Sequence, residues 1–336
     1  IRGSIVKLEL RDRAGALQTY EDLRARLEQD LKAQPSADTT TLMERIRRER
    51  ERRTPTTGVR DAGPERRRAP LVGRESELGS LWDAWQRGPG AGTAAAVVVA
   101  GDAGVGKTRL VDELVARIRL EGAIPSLVRA VEGDAQAPWN GVLGLAAGGL
   151  LDGAGLAAAP PAALAWFAKG LPDWADRFPS IRTATPLASP AHAFNDVLRG
   201  ALDEQPVALV VDDAERVDRD SLLALSGALR DLARRPLFLV LTVPSGSVRA
   251  ELDELQARIG RDVDGCVIRL GPLPSADVQR LARWAVPAYE AAALDRLTRR
   301  VYTDSAGLPL LAIELLNAVA LGLDLAMIQG AWPEPL

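Results

Sequence analysis

The chain has 336 residues, of which 47% are hydrophobic and 26% are charged, and its formal net charge is −3. This is the composition of a globular protein of roughly two or three domains, and the small charge excludes a strong general attraction to nucleic acid. One cysteine, Cys266, and one histidine, His192, exclude an internal disulfide, a cysteine zinc cluster and a multi-histidine metal site within this chain.

Neither of these two residues is a candidate catalyst. Cys266 lies in an apolar run, which predicts a buried strand residue, and we expect His192 to be a surface or packing residue. The first ten residues show no signal-peptide pattern, and the long apolar stretches contain charged residues or prolines. We therefore expect a cytoplasmic protein without a membrane span.

Residues 1–53 carry a helical pattern. Apolar residues recur at three- and four-residue spacing from Leu17 to Leu27 and around Leu42, which predicts two helices. Residues 54–70 are rich in proline, glycine and charge, which predicts a linker. Arginines are dense up to Arg68. A solvated helix end and linker is favoured over a nucleic-acid contact, because no aromatic residue lies among them to stack on bases.

From Leu71 onwards the pattern alternates between short apolar strands and helices. This alternation predicts an α/β domain over residues 71–272, with a five-stranded parallel sheet flanked by helices. The predicted strands are Ala94–Ala100, Ser126–Val131, Val207–Val211, Leu237–Thr242 and Cys266–Leu270. After Pro272 the pattern becomes helical again, which predicts a small helical lid over residues 273–336. The stretch Gly141–Ala165 has low complexity, and we expect it to be mobile.

The octapeptide Gly101-Asp102-Ala103-Gly104-Val105-Gly106-Lys107-Thr108 fits G-x-x-x-x-G-K-[ST], the phosphate-binding loop of P-loop NTPases. It lies between a predicted strand and a predicted helix, as the motif requires. Its backbone N–H groups and the helix N-terminus favour bound phosphate. Lys107 would reach the β- and γ-phosphates of ATP or ADP, and the Thr108 hydroxyl would bind Mg²⁺. Arg109 either faces the phosphates or solvates the helix, and both alternatives stay open.

Two carboxylates end the third predicted strand, at Asp212 and Asp213. Because parallel strands bring their C-terminal ends to one edge of the sheet, these carboxylates should lie near the phosphate loop. We predict that Asp212 holds Mg²⁺ directly or through water, and that Asp213 orients or deprotonates the attacking water. Such chemistry also needs a cation near the γ-phosphate, and the sequence does not select one.

Three motifs in the order of the chain resemble the STAND-type AAA+ ATPases. Leu71-Val72-Gly73-Arg74-Glu75 is similar to their opening motif, and the segment from Asp212 to Leu222 is similar to their extended Walker B segment. Gly307-Leu308-Pro309 is similar to their GxP motif. The resemblance implies that Val72, Gly73 and Arg74 lie against the adenine, and that Pro309 approaches the nucleotide from the lid.

A second resemblance covers residues 10–53. The run Asp12-Arg13-Ala14-Gly15-Ala16-Leu17, together with Leu42-Met43-Glu44-Arg45-Ile46, is similar to the end of the bacterial transcriptional activator domain, a TPR-like module. The combination resembles large SARP- and LuxR-type regulators. It implies that DNA is bound only through domains absent from this chain, and that the chain associates with itself or with a partner protein.

One position departs from the STAND pattern. Relatives commonly carry an arginine that senses the γ-phosphate two residues after the threonine at the end of the fourth strand. Here Thr242 is followed by Val243 and Pro244, and proline has neither a charge nor an N–H donor. Arg74 or a residue of another subunit is the expected substitute.

Three functions remain open from the sequence. The first is an ATP- or ADP-controlled switch in a transcriptional regulator, with slow ATP hydrolysis that uses Lys107, Asp212 and Asp213. The second is an inert scaffold that keeps ADP as a structural cofactor. The third is a small-molecule kinase, against which the opening motif and the GxP motif argue.

Overall fold

The computed structural model describes residues 69–178, 181 and 183–322. The predicted TPR-like segment 1–53, the linker up to residue 68 and the C-terminal residues 323–336 lie outside the described residues. The described residues, from Ala69 to Gly322, form one compact unit.

Five parallel strands form a single sheet. They run in the spatial order β2-β3-β4-β1-β5, and all four neighbouring pairs are parallel. Their bounds are β1 Ala95–Gly101, β2 Ile124–Arg129, β3 Val207–Asp212, β4 Leu237–Val243 and β5 Asp264–Leu270. The predicted five-stranded parallel sheet is therefore confirmed, with strand ends displaced by at most two residues.

Helices connect and cover these strands. The helices of the α/β region are α1 Glu75–Arg87, α2 Lys107–Leu120, α3 Asn140–Ala147, α4 Pro161–Gly170, α5 Pro172–Arg177, α6 Pro190–Leu202, α7 Arg219–Asp231 and α8 Ala250–Arg258. The helices after the sheet are α9 Ser275–Ala285, α10 Ala291–Ser305 and α11 Pro309–Ala320. Among the described helices, none combines the length and apolarity needed to cross a membrane.

Both faces of the sheet are buried. Side chains alternate between the faces of a strand: Val97 and Val210 belong to an apolar cluster that includes residues of α1 and α2, whereas Val98 and Leu209 belong to a cluster on the opposite face that includes residues of α3, α6 and α7. A strand covered on both sides is apolar on both faces, which explains the continuous apolar sequences of β1, β3 and β4.

The stretch Gly141–Ala165 differs from the expected mobile segment. It contains α3, two short 3₁₀ turns and the start of α4, and Leu145 and Leu164 are fully buried. A Cβ on Gly148 would come within 2.0 Å of the Leu127 carbonyl oxygen. The small residues that lower the complexity therefore let this stretch pack closely against β2.

Helices α9 to α11, called the lid after the predicted domain that they occupy, share an apolar cluster of their own. Leu281, Leu297 and Leu316 lie at its centre. Val72, which precedes α1, also belongs to this cluster, while the adjacent Leu71 packs against the cluster beneath the sheet. The opening segment thus joins the lid to the α/β region.

Candidate functional site

The phosphate loop turns between β1 and α2. Gly104 and Gly106 have φ of +79° and +97°, in the left-handed region that glycine adopts without strain. A Cβ on Gly101 would lie 2.9 Å from the Leu270 carbonyl oxygen. Val105 is buried under the loop, and Ala103 lies within the same turn. The predicted loop residues therefore form one cradle at the N-terminus of α2.

Two basic side chains follow the loop and differ in their contacts. The Lys107 ammonium donates hydrogen bonds to the carbonyl oxygens of Gly101 (2.8 Å) and Asp102 (3.2 Å), so it lies within the loop. Arg109 instead pairs with Glu113 at 3.1 Å, one turn along α2. The contact of Arg109 with phosphate therefore stays a prediction.

The carboxylate of Asp212 meets the phosphate loop directly. Its side chain is only 4% exposed, and the Thr108 hydroxyl donates a hydrogen bond to its Oδ2 at 2.9 Å. The two residues that the sequence proposed as metal ligands are therefore neighbours, although 104 positions separate them in the chain.

Thr242 on β4 holds both acidic residues in place. Its hydroxyl donates to Asp212 Oδ1 at 2.6 Å and accepts a hydrogen bond from the backbone N–H of Asp213 at 2.9 Å. Asp213 has a φ of +58°, an uncommon conformation that aspartate tolerates better than most residues. Thr242 thus fixes the direction in which the chain leaves β3.

Arg129 adds a cation to the same carboxylate. It ends β2, and its Cα pairs with that of Asp212 in the register of β2 and β3. Its Nε donates to Asp212 Oδ2 at 3.0 Å. Since Asp212 is almost completely buried, the cation and the two hydroxyl donors offset the cost of removing its charge from water.

A third acidic side chain lies close to these groups. Burial raises the pKa of Glu215, and the repulsion from Asp213 raises it further, while its own backbone hydrogen bond, Arg216 and Lys107 lower it. Its Oε2 is buried and has no hydrogen-bond partner among the described residues. Glu215 is therefore a less acidic carboxyl than an exposed glutamate, set beside the groups of the phosphate loop.

Arg74 of the opening segment is buried and makes three hydrogen bonds. Its guanidinium donates to the carbonyl oxygens of Val105 (3.4 Å) and Gly271, and to Glu77 Oε1 (3.0 Å). Gly73 has a φ of +65°, and a Cβ there would collide with Asp277 of α9. This segment ties the loop, the end of β5 and the lid together.

The lid reaches the phosphate loop at the start of α11. Pro309 is the first residue of this helix, and the next residue, Leu310, donates its backbone N–H to the Gly104 carbonyl oxygen at 3.1 Å. A Cβ on Gly104 would lie 3.2 Å from the Leu310 Cβ. The predicted lid residue is therefore next to the loop.

The oxygen ligands at this edge of the sheet fit Mg²⁺. The Thr108 hydroxyl and Asp212 carboxylate are hard oxygen donors, and Mg²⁺ in nucleotide sites takes few protein ligands and completes its shell with phosphate and water.

Sequence reasoning missed Arg129, Thr242 and Glu215 as members of the site. For Arg129 a signal was available, because the last residue of a strand beside the acidic strand must face the same edge. The predicted strand ran on to Val131, which hid this position.

The two residues that composition singled out lie elsewhere. His192 is exposed on α6. Cys266 is a half-buried residue of β5, where burial raises the pKa of its thiol. Neither contributes to the site.

A family model described as the AAA ATPase domain matches residues 70–240. The chain is also 26% identical over 271 residues to an uncharacterized protein of Rhizobium meliloti (strain 1021), a match that covers 75% of this chain and 25% of that protein. The chain therefore spans about a quarter of the length of this curated relative.

Several solved structures are similar at low identity. Cdc6p from Pyrobaculum aerophilum has a TM-score of 0.48 at 17% identity, over 77% of this chain and 64% of that one. The RuvB Holliday junction branch migration motor of Thermotoga maritima has a TM-score of 0.40 at 19% identity, over 74% of this chain and 62% of that one. A STAND protein with a tetratricopeptide repeat sensor from Pyrococcus horikoshii has a TM-score of 0.41 at 16% identity, over 72% of this chain and 29% of that one.

Proposed function

Because the chain belongs to the AAA ATPase domain family, we propose that it is a nucleotide-controlled switch. In this proposal, residues 71–272 bind ATP or ADP with Mg²⁺, and the helical region from residue 273 acts as a lid whose position depends on the nucleotide. Exchange of the two nucleotides shifts the population between lid positions. A full reversal of that population requires a discrimination of about 5.5 kcal/mol.

The observation that carries the proposal is the hydrogen bond between Thr108 and Asp212. It joins the end of the phosphate loop to the acidic end of β3, so one polyphosphate and its metal ion can contact both. Lys107 supports the phosphate role because its ammonium lies within the same loop.

The lid contacts support the coupling of nucleotide to conformation. The hydrogen bond from Leu310 to Gly104 connects the lid to the loop itself, and Arg74 connects the loop to Gly271, just before the lid. A ligand that changes the loop would therefore change the contacts that hold the lid. Val72, Gly73, Arg74 and Pro309 are the proposed contacts to the nucleotide from this side.

Hydrolysis in this proposal is slow and resets the switch. Asp213 is the proposed base for the attacking water, with Asp212 and Lys107 holding metal and phosphate. Pro244 follows β4 directly, so this strand offers no cation to the γ-phosphate. A catalytically inert scaffold with permanently bound ADP remains the alternative.

The wider role is proposed from the motifs that resemble STAND regulators. The switch would control a transcriptional regulator by self-association or by binding a partner protein. Contact with DNA would come through domains outside this chain.

The test is a titration of a fluorescent ATP analogue with Mg²⁺ into the wild type and Lys107→Ala. We expect at least a tenfold loss of affinity, because the variant removes the charge-assisted hydrogen bonds to phosphate. Lys169→Ala, at an exposed lysine of α4, is the matched control and should bind as the wild type does.

Equal affinities for the wild type and Lys107→Ala would contradict nucleotide binding at this loop. ADP that stays bound through purification, without exchange or turnover, would favour the scaffold. Multiple turnover that Asp213→Asn abolishes would exclude it.

A further inference from the structure

The end of β2 places an arginine beside the proposed metal site. Arg129 is level with Asp212 in the register of the sheet, and Asp212 Oδ2 accepts hydrogen bonds from both Arg129 Nε (3.0 Å) and Thr108 Oγ1 (2.9 Å). Because the two donors share one oxygen, the guanidinium is no farther from the Thr108 hydroxyl than two hydrogen-bond lengths.

Most of the guanidinium's donor capacity remains available. The Arg129 side chain is 57% exposed, against 4% for Asp212. Only Nε makes a hydrogen bond within the described part of the chain. The guanidinium is a rigid planar fork, so anchoring it at Nε leaves its two Nη groups pointing together, a geometry that suits phosphate oxygens.

Two other arginines beside the loop, Arg74 and Arg109, already have partners. Arg74 is buried and donates to two carbonyl oxygens and to Glu77. Arg109 pairs with Glu113 along its own helix. Pro244 at the end of β4 has no charge to offer. Of these positions at the loop edge of the sheet, Arg129 is the one with a cation and exposed donors.

We propose that Arg129 is the specificity-determining residue that distinguishes ATP from ADP, by donating hydrogen bonds to the terminal phosphate group of ATP. The proposal rests on the proposed nucleotide site and adds a residue to it. In this arrangement Asp212 holds both the metal and the arginine, so the residue that senses the phosphate comes from β2 rather than from β4.

The experiment compares the affinities of fluorescent ATP and ADP analogues at saturating Mg²⁺ for the wild type, Arg129→Gln and Arg129→Lys. The control is Arg219→Gln. Arg219 is also an exposed arginine whose Nε bonds a largely buried carboxylate, that of Glu251 at 2.9 Å. Arg219→Gln therefore removes the same charge and the same kind of contact as Arg129→Gln, but away from the phosphate loop. Melting temperatures confirm that each variant is folded.

We expect the wild type to prefer ATP by about tenfold, as one or two charge-assisted hydrogen bonds to phosphate allow. Arg129→Gln should reduce this ratio to about one by weakening ATP binding, with ADP affinity changed by less than about threefold. Arg129→Lys should restore part of the preference, because lysine keeps the charge without the fork. Arg219→Gln should keep the wild-type ratio.

Three results would overturn the inference and leave the nucleotide site intact: no ATP preference in the wild type, an unchanged ratio in Arg129→Gln, or an equal loss of both affinities. Arg129→Gln could instead raise only the Mg²⁺ concentration that nucleotide binding needs and leave the ratio of ATP to ADP affinity at saturating Mg²⁺ unchanged. This result would also overturn the inference, because Arg129 would then act on Asp212 alone. A wild type that binds neither analogue would instead refute the proposed function itself.

Discussion

At the scale of single residues, the carboxylate of Asp212 depends on side chains from three other elements. Thr108 comes from α2, Arg129 from β2 and Thr242 from β4. A buried carboxylate is tolerated only when its oxygens accept hydrogen bonds or meet a cation. The geometry of the proposed metal site is therefore set by these neighbours as much as by the aspartate.

Thr242→Val should lower the free energy of unfolding by about 1–3 kcal/mol, because it leaves Asp212 Oδ1 and the Asp213 N–H without a buried partner. Urea denaturation measures the change. The matched control is Thr298→Val. Thr298 is also buried, but its hydroxyl has no partner among the described residues, so its removal should cost nothing or stabilise the fold. Equal losses in the two variants would contradict the role of Thr242.

At the scale of elements, one buried side chain accepts hydrogen bonds from the N-termini of two helices. Asp218 caps α7 by accepting the N–H of Ser221, and it also accepts the N–H groups of Trp139 and Gly141 at the start of α3, each at 2.9 Å. N–H groups at a helix start have no partner within the helix. Asp218 thus couples the segment after β3 to the helix that covers β2.

Asp218→Ala should lower the free energy of unfolding by about 3 kcal/mol or more, because it removes a helix cap and leaves further buried N–H groups without an acceptor. Ser189→Ala is the comparison, since Ser189 caps α6 through one long hydrogen bond, 3.4 Å, to the His192 N–H. We expect about 1 kcal/mol or less for this single cap. Urea denaturation measures the loss of unfolding free energy in both variants. Similar losses would contradict a contribution of Asp218 to the stability of α3.

At the scale of the whole described unit, Arg74 lies at the boundary between the α/β region and the lid. Its guanidinium donates three hydrogen bonds within the α/β region, to Val105, Gly271 and Glu77, and the preceding Gly73 lies against Asp277 of α9. Since Arg74 is only 6% exposed, these contacts are shielded from solvent and are stronger than a surface ion pair.

Arg74→Ala should loosen the lid without unfolding the sheet. Hydrogen exchange should become faster in α9 to α11 and in the phosphate loop, while β3 and β4 keep their protection. Arg280→Ala is the control. Arg280 joins Glu75 and Asp277 at the same boundary, but its side chain is 55% exposed, and such surface pairs contribute little to stability. Faster exchange throughout the sheet in Arg74→Ala would contradict a local hinge role.

Predictions from sequence succeeded where the signal was local. The five strands were predictable because a strand buried on both faces is apolar along its length, as β3 is from Val207 to Val211. The stretch Gly141–Ala165 was expected to be mobile because its residues are small. These small residues serve tertiary packing instead, since Gly148 lies against the backbone of β2.

The amino-acid sequence alone determined that a phosphate loop lies between a strand and a helix, and that two acidic residues end another strand, because these are patterns of adjacent residues. Only the tertiary structure decided which side chains meet Asp212. Arg129 and Thr242 lie 83 and 30 positions away from it, and they reach it because the strand order and register place β2 and β4 on either side of β3. No pattern of adjacent residues encodes that arrangement, since it follows from how the strands pair after the chain has crossed over between them.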